Sequence, residues 1–353
     1  MTAAIGLMPA VTEHAVEFVV DDPDGRFRSV LLYQEVQRPR LGPAFHRRGT
    51  SWQLSLPRPP TDRLEYLLVR EDTSGSQTFA LDETNPLAVP GVFGPKSVVE
   101  FPGYRPPRFL EGPARASRRI TFLLNVGEDV LPVVLWAPGD SDPEAALPLL
   151  VVHDGPEYDT YASLGRYLAW AVHGGHLPPL RAALVPPPPG RRDAAYSADE
   201  TYARGLVRLV DVLRWLAPHP ADAVIGMGAS LGALALLHAT WRSPRSFRGL
   251  VLQSGSFFRP RTDSQERGFA HFERISSFVG EVLNADAGVA QTAVLMTCGT
   301  VEENLANNRQ VAAALEDLGH DVSFATFADA HAYVAWRDTF EDRVGPWLAD
   351  VLG

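Results

Sequence analysis

Residues 223–232 read Ala223-Val224-Ile225-Gly226-Met227-Gly228-Ala229-Ser230-Leu231-Gly232, and a largely apolar run follows from Ala233 to Trp241. Ala223–Gly226 has the character of a short strand buried on both faces. Leu231–Trp241 predicts a helix. Between them, Gly228-Ala229-Ser230-Leu231-Gly232 matches G-x-S-x-G, the pattern of a serine raised on a sharp strand-to-helix turn. The glycines suit a turn this tight and a strained serine backbone. Such a turn lifts Oγ to the C-terminal edge of the sheet, where open α/β sheets bind ligands. The helix N-terminus then sits under a developing oxyanion. Ser230 is the expected nucleophile, and the Leu231 N–H an expected oxyanion donor. The alternative is a buried serine in a packed turn.

On either side of this stretch, short apolar runs alternate with amphipathic segments. The runs are Leu149–Val152, Ala182–Val185, Gly249–Gln253, Thr292–Thr297 and Val322–Phe327, preceded by a hairpin over Arg119–Leu124 and Val130–Trp136. Ser197 with Glu200 reads as a capping box. It opens a helix carrying Tyr202, Leu206, Leu209, Leu213 and Leu216, which Pro218 stops. A last helix is expected to present Trp336, Phe340, Val344, Trp347 and Val351 on one face. Residues 255–290 show only a weak pattern. This alternation predicts an α/β fold, a mostly parallel sheet with helices on both sides.

Residues 14–101 differ. Short β-rich runs at Ala15–Val20, Phe27–Tyr33, Ser51–Leu56 and Arg63–Val69 lie between Pro and Gly turns, with no helical period. They predict a small β-sandwich. The Pro-rich stretch 102–118 marks the boundary. The expected organisation is a sandwich at 1–104, a linker at 105–118 and a catalytic domain at 119–353.

Composition narrows the function. The 353 residues are 45% hydrophobic and 21% charged, an ordinary globular mix. The net charge of −10, with no long basic run, argues against a nucleic-acid partner. Cys298 is the sole cysteine, so no intrachain disulfide forms. No signal-peptide pattern is visible in residues 1–20, and no apolar stretch is long enough to cross a bilayer. The cytoplasm is the expected compartment, and neither a membrane partner, a metal nor a cofactor is expected.

A serine nucleophile needs a base. His331 lies after the run Val322–Phe327 and before the final helix, the place for that base. His238 falls inside a helix, His271 in an irregular stretch, and His320 in a turn at the opposite end of a strand. The acid should follow Thr292–Thr297, where Glu302 and Glu303 stand. Glu302 is the first choice to orient the imidazole and Glu303 the second. The alternative is that both only favour the start of the next helix.

Residues 119–353 resemble the esterase family that includes enterochelin esterases, feruloyl esterases and mycolyltransferases. The likeness is carried by Val152-His153-Asp154-Gly155, Leu177-Pro178-Pro179, Arg192 through Tyr196, Gly228–Gly232, Gln253-Ser254-Gly255-Ser256, Gly299–Arg309 and His331 through Arg337. It implies the α/β-hydrolase fold. The N-terminal part resembles the early-set sandwich of enterochelin esterases at Glu65-Tyr66, Asp82 with Asn85-Pro86, Phe93-Gly94 and Ser97-Val98. The two-domain order favours that branch, whose members cleave a triserine-lactone siderophore in the cytoplasm.

The chain departs from the family at Ala233, Ala195 and Asp329-Ala330-His331. In mycolyltransferases the residue after Asp-Gly donates its N–H to the oxyanion, whereas Pro156 has none. The second donor is then Gly155 or Glu157, with Gly155 preferred. Asp154, Tyr158, Arg192, Phe257 and Trp336 are the candidate substrate-binding residues. Tyr158, Phe257, Phe258 and Trp336 would form an aromatic wall for an aryl ester. The sandwich would cover the mouth of the site and be dispensable for small esters.

The expected function is therefore hydrolysis of a small-molecule carboxylic ester. Ligand binding without hydrolysis and acyl transfer are the alternatives.

Overall fold

The computed structural model describes residues 9–220, 223–286 and 291–353. Residues 1–8, on which the absence of a signal peptide partly rests, lie outside them. Two compact units are present. The first is Met1–Arg105 with Gly299–Glu303 and Ala328–Ala332; the second is Pro106–Cys298, Asn304–Phe327 and Tyr333–Gly353.

Among the described residues, the first unit holds nine strands: β1 (Ala10–Val11), β2 (Ala15–Asp21), β3 (Phe27–Gln34), β4 (His46–Arg48), β5 (Ser51–Pro57), β6 (Arg63–Asp72), β7 (Gln77–Ala80), β8 (Ala88–Val89) and β9 (Lys96–Glu100). They form one sheet in the order β1-β2-β5-β4 and another in the order β3-β6-β9-β8, with β7 on β6. Alternation decides which side chains are inside. Val16, Phe18 and Val20 of β2 are buried, while Glu17, Val19 and Asp21 face out. They share one core with Leu54 and Leu56 of β5, Val30 and Leu32 of β3, and Leu64, Tyr66 and Leu68 of β6. Four of the residues that carry the N-terminal likeness, Tyr66, Asp82, Asn85 and Ser97, form a buried polar knot. The Tyr66 hydroxyl donates to Asp82 Oδ2 at 2.7 Å, Asn85 Nδ2 donates to the Tyr66 hydroxyl at 3.1 Å, and the Asp82 N–H donates to Ser97 Oγ at 2.9 Å.

Among the described residues, the second unit is built on eight strands: β10 (Ser117–Val126), β11 (Asp129–Pro138), β12 (Leu149–His153), β13 (Arg181–Val185), β14 (Val224–Ala229), β15 (Gly249–Gln253), β16 (Ala293–Gly299) and β17 (Asp321–Phe327). Their order is β10-β11-β13-β12-β14-β15-β16-β17. The hairpin β10–β11 and the pair β11–β13 are antiparallel; β13, β12, β14, β15 and β16 run parallel. Each central strand is apolar on both faces because each face is covered. Leu149, Val151, Leu250, Leu252, Val294 and Met296 join the core under helices α4 (Glu200–Leu216), α5 (Leu231–Arg242), α6 (Phe272–Leu283) and α7 (Leu305–Asp317). Leu150, Val152, Val251 and Leu295 join the core under α1 (Gly155–Tyr161), α2 (Leu164–His173), α8 (Tyr333–Asp338) and α9 (Gly345–Leu352). Within the expected connector, Phe109 is buried edge-on against Tyr167.

Three local expectations are corrected. The capping box fails: Asp199 caps α4, its Oδ1 accepting the Tyr202 N–H at 2.8 Å, while the Ser197 hydroxyl closes the short helix α3 (Arg192–Tyr196) by donating to Asp193 O. The last helix is broken. Pro346 has no N–H to continue the ladder. The Val344 N–H reaches back five residues to Thr339 O, and the turn Phe340–Val344 widens to a π-helix. The extra residue shifts the face by one, so Leu348 is buried at 1% exposure and Trp347 only half-buried. The weak stretch 255–290 contains α6, whose Phe272, Ile275, Phe278, Val279 and Val282 share one buried face.

One buried charge ties the loops at the start of β13. Arg181 donates to the carbonyls of Ala145 and Pro218 at 2.8 Å each, Asp142 at 3.1 Å and Pro143 at 2.6 Å. Arg181→Met strands those carbonyls and should cost on the order of 3 kcal/mol. The check is a fall in the urea midpoint at unchanged slope. A loss below about 1 kcal/mol would show that the carbonyls find other donors.

Candidate active site

In the second unit, β14 ends at Ala229, Ser230 makes the turn and α5 begins at Leu231. Ser230 has φ 55 and ψ −125, in the region that side chains avoid. The strain is held by three backbone bonds. The Ser230 N–H donates to Gln253 O at 2.9 Å; Ser230 O accepts from the Ser256 N–H at 3.1 Å and from the Leu234 N–H at 3.2 Å. Gly228 is required by close approach, since a Cβ there would lie 2.8 Å from the Gly232 carbonyl carbon.

A hydroxyl that the sequence reading did not single out lies beside the nucleophile. Ser256 Oγ is 3.0 Å from Ser230 Oγ and only 3% of Ser256 is exposed. Its loop is clamped by buried Asn308. The Gly255 N–H donates to Asn308 Oδ1 at 3.0 Å, and Asn308 Nδ2 returns a bond to Gly255 O at 2.8 Å. Nothing local in the sequence brings Ser254-Gly255-Ser256 to a serine 26 residues away.

The loop after β12 is the other wall of the elbow. Asp154 adopts a left-handed φ of 49 and heads α1. Arg192 grips it from α3 with two bonds, Nε to Oδ1 at 2.9 Å and Nη2 to Oδ2 at 2.7 Å. The Asp154 carboxylate is thus committed to Arg192, while Arg192 itself stays partly exposed. His153 is fully buried, its Nδ1 on Gly232 O at 2.9 Å and its Nε2 on the Tyr202 hydroxyl at 3.0 Å. Burial holds its imidazole down at about 4, so it is neutral and structural. Gly155 admits no side chain, because a Cβ would lie 2.4 Å from Leu184 Cα. Its N–H is one of the first-turn donors that a helix does not use itself.

The aromatic wall is corrected. Tyr158, Phe257 and Trp336 are core residues. The Tyr158 hydroxyl donates to Gln253 Oε1 at 2.8 Å, and Trp336 Nε1 donates to Ser254 Oγ at 2.9 Å. Phe258 is buried as well, stacked on Phe272. Tyr158 and Trp336 thus brace the end of β15, whose Gln253 carbonyl accepts the Ser230 N–H, and the buried rings offer no open surface to a ligand.

In the first unit, the loops after β16 and β17 meet each other. Glu302 is 2% exposed and uses both oxygens: Oε1 accepts the Gly299 N–H at 2.8 Å and Oε2 lies 2.7 Å from His331 Nδ1. Glu303 is not that partner. Burial alone would push the His331 imidazole down. The Glu302 carboxylate, by charge and hydrogen bond, lifts it above its ordinary value, and Glu35 and Glu303 add to the lift. With Nδ1 committed to Glu302, Nε2 is the nitrogen left to take a proton.

Among the described residues, no group of three His, Cys, Asp or Glu side chains is placed to hold a metal ion. None of their helices is long and apolar enough to cross a membrane.

No family model matches the chain. The iron(III) enterobactin esterase of Dickeya dadantii (strain 3937) is 29% identical over 223 residues, which cover 58% of this chain and 48% of that protein. The chain therefore spans about half the length of the curated relative it matches. Among solved structures, the enterochelin esterase of Shigella flexneri superposes with a TM-score of 0.76 at 18% identity, over 98% of this chain and 95% of that one. A ferulic acid esterase superposes with a TM-score of 0.53 at 12% identity, over 68% of this chain and 100% of that one. At these identities the structural likenesses speak for the fold.

Proposed function

We propose that this chain, a sequence homologue of the enterobactin esterases with their α/β-hydrolase fold, is a serine hydrolase of carboxylic esters. The observation that carries the reading is Ser230 itself, a non-glycine residue held at φ 55 and ψ −125 at the head of a helix. Strain of that kind persists only where the surroundings enforce it, and it collects at functional sites.

In the proposed mechanism Ser230 Oγ attacks the ester carbonyl and His331 Nε2 takes its proton. Glu302 holds the imidazole in the tautomer this needs and stabilises the imidazolium. The N–H groups of Leu231 and Gly155 bind the oxyanion. His331 returns the proton to the leaving alcohol, and water then opens the acyl-enzyme by the same route. Support comes from the order serine, acid, histidine along the chain, on loops that follow β14, β16 and β17.

We further propose a siderophore trilactone as substrate, cleaved in the cytoplasm, and an early-set origin for the N-terminal sandwich. These rest on the 29% identity to an iron(III) enterobactin esterase and on the motifs quoted above. The test compares a p-nitrophenyl ester with a catecholate trilactone, products resolved by chromatography. Hydrolysis of both, with the higher kcat/KM for the trilactone, is expected. Cleavage of the simple ester alone would keep the mechanism and reject the substrate. Tight trilactone binding without cleavage of either would make the protein a ligand carrier.

A further inference from the structure

The loops bearing the acid and the base are built into the core of the N-terminal sandwich. Val301, beside Glu302, and Ala330, beside His331, are buried in the same cluster as Phe18, Leu32, Leu64 and Tyr66. Backbone bonds reinforce this. The N–H groups of Gln37 and Arg38 both donate to Val301 O, at 2.9 and 3.1 Å, and the Asp62 N–H donates to Ala328 O at 2.7 Å.

One charged side chain joins the two. Arg63, at the start of β6, is 1% exposed. Its Nη2 is 3.3 Å from Glu65 Oε1, its Nη1 is 3.8 Å from Asp329 Oδ2, and its guanidinium lies over the Tyr104 ring at 5.6 Å. Asp329 turns its other oxygen to the Ala330 N–H at 2.8 Å. A buried arginine is costly unless its partners are fixed, and Asp329 is two residues from the base. Asp329 thus braces this loop with its side chain.

We infer that Arg63 is a positioning residue for His331, acting through Asp329, and that the sandwich is the frame of the acid–base pair. The inference rests on the reading of Ser230, His331 and Glu302 as the catalytic set. A shift of about 1 Å in a catalytic group costs on the order of 100-fold in rate, so small changes in this brace should be measurable.

The test uses the full chain and three variants: Arg63→Lys, Asp329→Asn and the double variant. Active sites are first counted by the burst of p-nitrophenol, so that kcat is expressed per working site and lost folding drops out. Each single variant should lose about 30- to 100-fold in kcat with KM within about threefold. The double variant should be no slower than the worse single one, because both act through one contact. If Arg63→Lys does not fold, Asp329→Asn, nearly the same shape, carries the test alone. Single variants within about twofold of wild-type kcat would overturn the proposal, and so would multiplicative losses in the double variant. A wild-type protein that hydrolyses no ester would overturn the reading beneath it, a different and separately visible failure.

Discussion

Ser230→Ala is expected to lower ester turnover by about six orders of magnitude, to background, with no loss of folding. Alanine keeps the Cβ that φ 55 already accommodates, and the bonds that hold the turn are made by backbone atoms alone. The one complication is Ser256, whose hydroxyl lies 3.0 Å from that of Ser230. Residual activity in Ser230→Ala that vanishes in the double variant with Ser256→Ala would mean that Ser256 substitutes as a weak nucleophile. Full activity in a well-folded Ser230→Ala protein would end the serine mechanism.

Glu302→Gln should lower kcat by about four orders of magnitude with KM within about threefold. The amide oxygen can still accept the Gly299 N–H. The amide nitrogen then faces His331 Nδ1 and donates to it, which moves the imidazole proton to Nε2, where the base must be bare. Glu303→Gln should change little, because the structure gives Nδ1 to Glu302. The pH profile adds a sign. His331 must be neutral to accept a proton, and Glu302 raises its pKa. Wild-type kcat/KM should therefore rise with pH through an inflection above the ordinary imidazole value. In Glu302→Gln the largest lifting influence is gone, burial is opposed only by the lesser pull of Glu35 and Glu303, and the inflection should move down. An unchanged inflection, or equal losses from Glu302→Gln and Glu303→Gln, would remove Glu302 from its role.

Much of this was legible because the physics is local. The strands β12 to β16 are short apolar runs between helices, and a parallel sheet covered on both faces needs such runs. The turn at Ser230 and the place of His331 after β17 follow from the same grammar. What failed was set by choices that a pattern does not contain. Asp199 outcompeted Ser197 for the cap because it stands directly before α4. The π-turn before Pro346 moved burial from Trp347 to Leu348. Tyr158, Phe257 and Trp336 were read as a ligand wall, yet aromatic side chains near a site and aromatic side chains in a core look alike in sequence.

The bracing of the acid and base loops was out of reach for another reason. Arg63 and Asp329 are 266 positions apart, and neither belongs to a motif. The sandwich was expected to be dispensable for small esters. Our inference reverses that: deleting it should disable small and large substrates alike, because the frame of His331 and Glu302 would go with it.

The most direct measurement is labelling of the purified protein with a fluorophosphonate probe, followed by mass mapping of the modified residue. One stoichiometric adduct is expected, on Ser230, formed at a rate that rises with pH as His331 loses its proton. No adduct, or an adduct on another residue while Ser230 stays unmodified, would contradict it.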